Sequence, residues 1–378
     1  MKLIAFFNGF NIKHVDGGSY HVFRVLKNWS NYISISIVIP KLGYETCSHL
    51  IEDSYSVYLS SQDNETPSGN IKMVLAYFSR IIRASFMKYG SSPDIIICSS
   101  HLLYDVIPAA FLRKRVKAKL VIYVHHIISQ FRSGEQGFWS RISQINERLG
   151  LFLLHSADLI FAVNEDVRSR LLSKGFDSDK IFVVGNGLDH SLIQSVMAAT
   201  IKFEACFCGR LVERKGVFDL LHIWQKVIEK FPHSKLVIMG NGPEYGNLQK
   251  RIQSDKLEDH VILAGFVTDR EKIATLKSSM IFIFPSYEEG WGIGVTEAMA
   301  CGACVVTYDL PTYNVFGDSL VRIQIGDKER MAQKIIELLE NSKERELYVN
   351  NAIEQSRGFD WDQISDLEYS QILKLKDK

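Results

Sequence analysis

No stretch of about 18 consecutive apolar residues occurs in this 378-residue chain, so no transmembrane helix is expected. The opening run, MKLIAFF, is too short in its apolar part for a signal peptide and reads as a first strand. Excess charge is missing too. The 44 Lys+Arg against 43 Asp+Glu leave a net charge of +1, which argues against general nucleic-acid binding. The six cysteines (Cys47, Cys98, Cys206, Cys208, Cys301 and Cys304) lie mostly in apolar runs. Cys206 and Cys208 have strand spacing. Cys301 and Cys304 form one pair, which cannot supply four metal ligands. The expectation is reduced thiols in a cytoplasmic protein. Neither a G-x-S-x-G elbow nor a G-x-x-x-x-G-K-[ST] phosphate loop is present, which removes two common sources of chemistry.

What the chain does have is an alternation of short apolar runs with amphipathic stretches. Leu3–Phe7, Ile33–Pro40, Pro93–Ser99, Leu120–Val124, Asp158–Val163 and Ile181–Val184 read as strands separated by helices. The pattern restarts at Phe203–Cys208 and runs through Lys235–Met239, Val261–Leu263, Ile281–Phe284 and Cys304–Tyr308. Strands alternating with helices predict parallel sheets with crossover helices, hence two doubly wound, Rossmann-like α/β domains. The boundary is expected near 190–202, giving domains 1–195 and 196–358 and a final helix over 359–378. Residues 1–195 hold 21 Lys+Arg and 16 Asp+Glu, net +5, and the remainder hold 23 and 27, net −4. Two basic tracts stand out, residues 71–90 as an amphipathic helix carrying Lys72, Arg80, Arg83 and Lys88, and FLRKRVKAK at 111–119. An ordinary helix packed on a sheet explains the first and a solvated helix face the second, and contact with a membrane surface and its anionic lipid headgroups is the sharper alternative.

Open α/β sheets bind ligands at the carboxyl ends of their strands, and the glycine-rich loops of this chain follow strands. Gly17 and Gly18 precede a helix over Ser19–Trp29 for which Ser19 is a plausible N-cap. Glycines at such a junction allow a ligand close to the backbone. Arg210 and Lys215 lie five apart in the loop Gly209–Gly216, where a fork and a point charge suit a diphosphate. The stretch IFIFPSYEEGWGIGVTEAMACGAC at 281–304 is a buried strand, then a loop with Gly290, Gly292 and Gly294, then a short helix. A helix start after such a loop aims N–H groups at an anion. Glu289 and Glu297 frame it, and carboxylates suit neutral hydroxyls. An extended ligand with both features is a sugar nucleotide. His125 ends a strand where a polar side chain has no packing purpose, and His126 beside it leaves the choice open.

The chain resembles the retaining glycosyltransferases of family 4. The resemblance rests on ADLIFAVNEDV at 157–167, VVGNGLD at 183–189, CGRLVERKG at 208–216, MGNGPE at 239–244, GFV at 265–267 and the Glu-x7-Glu of PSYEEGWGIGVTEAMACG at 285–302. It covers nearly the whole chain. It implies the GT-B fold, two Rossmann-like domains facing across a cleft, with the last helix crossing back onto the first domain. It also implies residue roles. Arg210 and Lys215 would hold the donor diphosphate, Glu297 the ribose hydroxyls, and Glu289 the donor sugar beside the backbone of Gly290, Trp291 and Gly292. The base would lie near Gly265–Val267. Gly17 and Gly18 would let the first domain close over the phosphates, and His125 would sit near the reacting sugar. The implied reaction transfers a hexose from a UDP-sugar or GDP-mannose to a glycan or lipid-linked hydroxyl with the anomeric configuration kept. Neither cofactor nor metal is expected if Arg210 and Lys215 neutralise the diphosphate. The expected location is cytoplasmic, peripheral on the inner face of the plasma membrane. Two other readings use the same loops: a sugar-nucleotide epimerase, and a non-catalytic nucleotide-sugar-binding subunit. The second is disfavoured by the retention of Glu289 and His125.

Overall fold

The structure, a computed structural model, describes residues 1–10, 15–66, 69–127 and 138–376. Residues 11–14, 67–68, 128–137 and 377–378 lie outside that set; of the helix that the sequence over 136–156 predicts, 136 and 137 fall there, and of the final helix expected over 359–378, 377 and 378. The chain divides into two compact units, Met1–Gly187 with the segment from Trp361, and Leu188–Asp360. The division falls a few residues before the expected 195/196. The Leu188 N–H donates to the Phe359 carbonyl at 2.7 Å, and Leu188, Ile193 and Val196 pack with Ile273 and Phe359. Residues 188–195 therefore go with the second unit.

The first unit is built on β1 (Lys2–Phe6), β2 (Ser34–Pro40), β3 (Ser56–Ser61), β4 (Ile95–Cys98), β5 (Lys119–Val124), β6 (Leu159–Ala162) and β7 (Ile181–Val183). They form one parallel sheet in the order β3-β2-β1-β4-β5-β6-β7. The central strands are buried at nearly every position, as a parallel sheet covered on both faces requires. Helix Gly17–Trp29 starts two residues earlier than expected, because the cap is Asp16, not Ser19. The Asp16 carboxylate accepts the Ser19 N–H at 3.0 Å and the Ser19 hydroxyl at 2.7 Å.

The helix Trp361–Lys376 belongs to this first unit and lies against Gly17–Trp29. Trp29 Nε1 donates to the Ser365 carbonyl at 3.0 Å. Glu368, fully buried, lies 2.7 Å from His21 Nε2 and accepts the Tyr123 hydroxyl. A carboxylate at such depth is tolerated because both oxygens are hydrogen-bonded.

Arg80 departs from its expected place on a basic surface. It is 1% exposed, and its guanidinium donates to the carbonyls of Asn8 and Phe10. It ties down the chain after β1, leaving Lys72 and Arg83 as the exposed cations of that helix, with Lys88 exposed just beyond its end. The helix itself runs Asn70–Phe86.

The second unit repeats the plan with β8 (Phe203–Cys208), β9 (Leu236–Met239), β10 (Val261–Gly265), β11 (Ser279–Phe284), β12 (Cys304–Tyr308) and β13 (Val321–Ile323). Its parallel order is β10-β9-β8-β11-β12-β13. In both sheets the first strand and the fourth are neighbours, and the winding reverses between them: β1/β4 in one, β8/β11 in the other. A reversal leaves a crevice at the carboxyl ends, because the flanking loops depart to opposite faces.

Candidate active site

In the first unit the crevice between β1 and β4 opens into a cavity of about 270 Å³. Its walls include Gly9, Ser99 and His101 from the two strand ends, with His125 and His126 following β5. His125 is held on three sides. Its ring lies nearly parallel to that of Tyr123, with centroids 5.5 Å apart, and its centroid is also 5.5 Å from that of His21. A Cβ on Gly18 would lie 2.5 Å from His125 Cδ2, so Gly18 is small to admit the imidazole. Burial holds the His125 ring well below its ordinary pKa, and His21 and His101 push the same way, against a backbone hydrogen bond at Ser99. The ring is therefore neutral. Nε2 is buried without a hydrogen-bond partner among the described residues. Nδ1 is then the nitrogen bonded to Ser99, and Nε2 keeps a lone pair for an incoming donor.

Asp105, fully buried in the same wall, was not legible as a site residue. It accepts the Asn8 N–H at 2.7 Å, the Ser99 hydroxyl at 3.1 Å and the Ser100 hydroxyl at 2.7 Å. Burial pushes its carboxyl up to about 7, and those three donors pull against the shift. The sign for stability follows. A carboxyl raised in the folded state binds its proton there while the unfolded chain has released it. Stability therefore falls as pH climbs from about 4 to about 7. In Asp105→Asn that descent should flatten. Urea unfolding across this window checks it, and an unchanged slope in the variant would refute the assignment.

The second unit gathers the remaining expected residues at the β8/β11 crevice. Arg210 follows β8, is exposed, and its side chain has no partner among the described residues. Lys215 forms an ion pair with Glu289, with side chains 14% and 9% exposed, and its Nζ lies 5.2 Å from the Phe284 ring centroid. Gly216, at φ 66°, allows this turn to lie against the end of β11, since a Cβ would meet the Pro285 carbonyl at 2.0 Å. Gly292, at φ 92°, begins helix Ile293–Ala300 with no side-chain cap. The first N–H groups of that helix are therefore available to an anion. Tyr287 fixes the loop between them, its N–H donating to the Arg214 carbonyl at 2.9 Å and its hydroxyl to Asp219 at 2.6 Å.

Glu297 is joined by a residue that sequence reasoning missed. Lys272, in helix Asp269–Lys277, donates to Glu297 at 2.7 Å and to Asp269 at 2.9 Å. Burial works against the Lys272 charge, but Glu297 and Asp269 outweigh it and hold the ammonium above its ordinary range. Burial raises the Glu297 carboxyl, with Lys272 opposing. The only hint was proximity to the 265–267 loop. Val267 is half-buried just before the Thr268 cap of this helix, and Phe266 beside it is 76% exposed. Trp291 differs from its neighbours in the loop. Its ring is 5% exposed and packs edge-on to Phe316 and Phe359, so only its backbone is free for ligand contact.

Each expected group thus falls within one unit: Gly17, Gly18 and His125 in the first; Arg210, Lys215, Val267, Glu289, Gly290, Gly292 and Glu297 in the second. Among the described residues no three His, Cys, Asp or Glu side chains are grouped to hold a metal. Asp-x-Asp spacings do occur, at Asp177–Asp179 and Asp360–Asp362. Asp177 caps a short turn, and Asp362 accepts from Asn28 at 2.8 Å. Burial pushes Cys301 and Cys304 up to about 12, consistent with inert packing thiols.

Comparison with known proteins also divides the chain, five residues after Gly187. The family model described as Glycosyltransferase Family 4 matches residues 15–192, and that described as Glycosyl transferases group 1 matches residues 193–355. An uncharacterized glycosyltransferase of Methanocaldococcus jannaschii is 24% identical over 99% of this chain and 98% of its own. The phosphatidyl-myo-inositol mannosyltransferase of Mycolicibacterium smegmatis is 33% identical over 45% of this chain and 43% of its own. Among solved structures, Anabaena HepE in complex with UDP and glucose superposes with a TM-score of 0.78 at 17% identity, over 99% of this chain and 100% of that one. That likeness concerns the fold, which is GT-B. The two family models adjoin and together cover residues 15–355, and the chain belongs to the family 4, group 1 glycosyltransferases.

Proposed function

We propose that this glycosyltransferase moves a hexose from a nucleotide diphosphate sugar to a hydroxyl of a glycan or lipid-linked acceptor, with retention of anomeric configuration. The observation that carries the reading is the paired arrangement at the β8/β11 crevice: Lys215 with Glu289, Lys272 with Glu297, and Arg210 without a counter-ion among the described residues. Carboxylates held beside cations suit a ligand with both hydroxyls and phosphates. Glu297 takes the ribose and Glu289 the sugar. Lys215, Arg210 and the helix start at Gly292 take the diphosphate. As the glycosidic bond breaks, the leaving diphosphate keeps the electron pair, and those positive groups stabilise it where charge grows. His125 offers a neutral Nε2 to a sugar hydroxyl. No metal is needed in this scheme, since fixed cations meet the phosphate charge. The M. smegmatis relative is named for mannosyl transfer to phosphatidylinositol and HepE was solved with UDP and glucose, which supports both donor types.

Calorimetry with UDP, GDP and ADP, followed by UDP-glucose and GDP-mannose turnover with and without EDTA, tests the proposal. We expect one nucleoside diphosphate to bind preferentially, the matching donor to be hydrolysed slowly without acceptor, and EDTA to leave the rate unchanged. Nucleotide binding without turnover of any donor would sink the enzymatic part.

We further propose a cytoplasmic protein whose first unit contacts an anionic membrane surface. Along helix Asn70–Phe86, Ile71, Leu75, Phe78, Ile82 and Phe86 are all 46% exposed or more, and Lys72, Arg83 and Lys88 flank them. Apolar side chains beside cations suit a headgroup–acyl boundary. No helix among the described residues is long and apolar enough to cross a membrane. Co-sedimentation should favour phosphatidylglycerol over phosphatidylcholine vesicles at low salt, and Phe78→Ser with Phe86→Ser should abolish the difference. Equal binding to both vesicle types removes the idea.

A further inference from the structure

Helix Trp361–Lys376 carries a buried carboxylate that its docking does not call for. Trp361 and Ile372 join the core of the first unit, Ile364 is buried as well, and Trp29 Nε1 donates to the Ser365 carbonyl at 3.0 Å. An apolar side chain at position 368 would complete that seam equally well, since a buried charge pair adds little that a packed hydrophobe of its size does not. Glu368 is nevertheless fully buried, and its two oxygens go to two aromatic rings. Oε1 lies 2.7 Å from His21 Nε2, and Oε2 accepts the Tyr123 hydroxyl. Burial, and then the Glu368 charge, push the Tyr123 phenol well above its ordinary pKa, so the hydroxyl remains a donor. Hydrogen bonds to an ionised acceptor are about twice as strong as neutral ones, so both rings are firmly held.

Both rings flank His125. Those of Tyr123 and His125 lie within 10° of parallel, with centroids 5.5 Å apart. His21 approaches from helix Gly17–Trp29 at the same centroid distance, tilted by 57°. Trp361, two turns before Glu368 on the same helix face, meets His21 edge-on at 5.2 Å. An imidazole is loosely fixed about χ2 on its own, and a half-turn would exchange Nε2 for a ring carbon at the cavity wall that His125 lines. Neighbouring rings prevent such a turn only if they are themselves pinned, and Glu368 pins both. Resting on the assignment of His125 to the donor sugar, we propose that Glu368 is a positioning residue: through His21 and Tyr123 it locks the His125 ring in the orientation that keeps the Ser99 bond and presents Nε2 to a sugar hydroxyl. Helix Trp361–Lys376 then serves the reaction as well as the fold. Its effect should fall on turnover and not on nucleotide binding, which the proposed function assigns to the second unit.

The test uses the whole chain with Glu368→Gln, which keeps the volume and removes the charge, and Tyr123→Phe, which keeps the ring and removes one bond. Selective 15N labelling of histidine reports the ring directly, with His125 assigned as the signal that His125→Ala removes. Wild type should show two well-separated His125 nitrogens, one protonated and one bare. In Glu368→Gln they should draw together, as loss of the Ser99 bond lets the proton divide between them. The kcat for donor hydrolysis should fall about tenfold in Glu368→Gln and about threefold in Tyr123→Phe, with nucleoside diphosphate affinity within about twofold of wild type. In a His125→Ala background, Glu368→Gln should lower kcat by less than about twofold, because the ring it holds is gone. A merely structural role would give the same loss in both backgrounds. Unchanged His125 signals, an undiminished kcat, or an equal loss without His125 overturns the positioning role. Should Glu368→Gln not reach wild-type helicity by circular dichroism, Tyr123→Phe carries the same readouts and the same reversals. Absence of donor turnover in wild type would overturn the transferase reading, and wild-type turnover in His125→Ala the part given to His125; in either case the ring signals alone decide whether Glu368 holds the ring.

Discussion

Replacing Lys215 with alanine is expected to lower kcat/KM for donor turnover about 10²–10³-fold, the usual loss when one fixed donor to a developing oxyanion is removed from a water-poor site. The side chain is 14% exposed, and Nζ lies over the Phe284 ring, so its charge is only weakly screened. Two effects combine. The leaving diphosphate loses a cation, and Glu289, 9% exposed, loses the partner that holds it in place. They can be separated. If diphosphate stabilisation dominates, kcat should fall far more than nucleoside diphosphate affinity, because the charge to be met grows in the transition state. If Glu289 placement dominates, Glu289→Gln should reproduce most of the loss, and the double variant should be no worse than either single one. Arg210→Ala should cost less, since Arg210 is exposed and its charge is shared with solvent. A loss of threefold or less in Lys215→Ala, measured by nucleotide release at saturating acceptor, would remove Lys215 from the chemistry.

Local signals and distant ones were not equally legible. The alternation of apolar runs was enough for two parallel sheets, because a strand buried on both faces must be apolar throughout, as Ile95–Cys98 is. The loop glycines were legible for the same local reason. At Gly216 and Gly292 the backbone turns to positive φ, which only glycine adopts freely. At Gly18 the close neighbour is 107 residues away, the His125 ring, and no local pattern points to it. Distant partners explain the other misses. Arg80 has the helical spacing of a surface cation and is buried, because the carbonyls of Asn8 and Phe10 need a donor. Trp291 sits in the glycine loop by sequence and in an aromatic cluster by packing.

Lys272 is the most consequential of these, and Lys272→Met should destabilise the second unit by about 3–5 kcal/mol, the range for breaking a buried pair by removing one partner. The pair is well shielded, with side chains 16% and 19% exposed. Methionine keeps most of the volume, so the loss should come from Glu297 stranded as a charge and not from a cavity. The pH dependence separates the two. With Lys272 present, burial already raises the Glu297 carboxyl against the ammonium's pull. Without it nothing opposes burial, and the carboxyl rises further. A carboxyl raised in the folded state binds protons that the unfolded chain has released, so stability falls as pH rises above the unfolded value. The deficit of Lys272→Met should therefore be largest at neutral pH and shrink steadily into acid, where a protonated Glu297 needs no cation. A cavity would give a deficit independent of pH. Adding Glu297→Gln should recover most of the stability at neutral pH and still leave donor affinity low, since the ribose would lose its carboxylate. Urea unfolding of the single and double variants at neutral and acid pH decides the matter. A deficit that is flat with pH, or a double variant no more stable than Lys272→Met, would show that the pair does not hold Glu297 ionised.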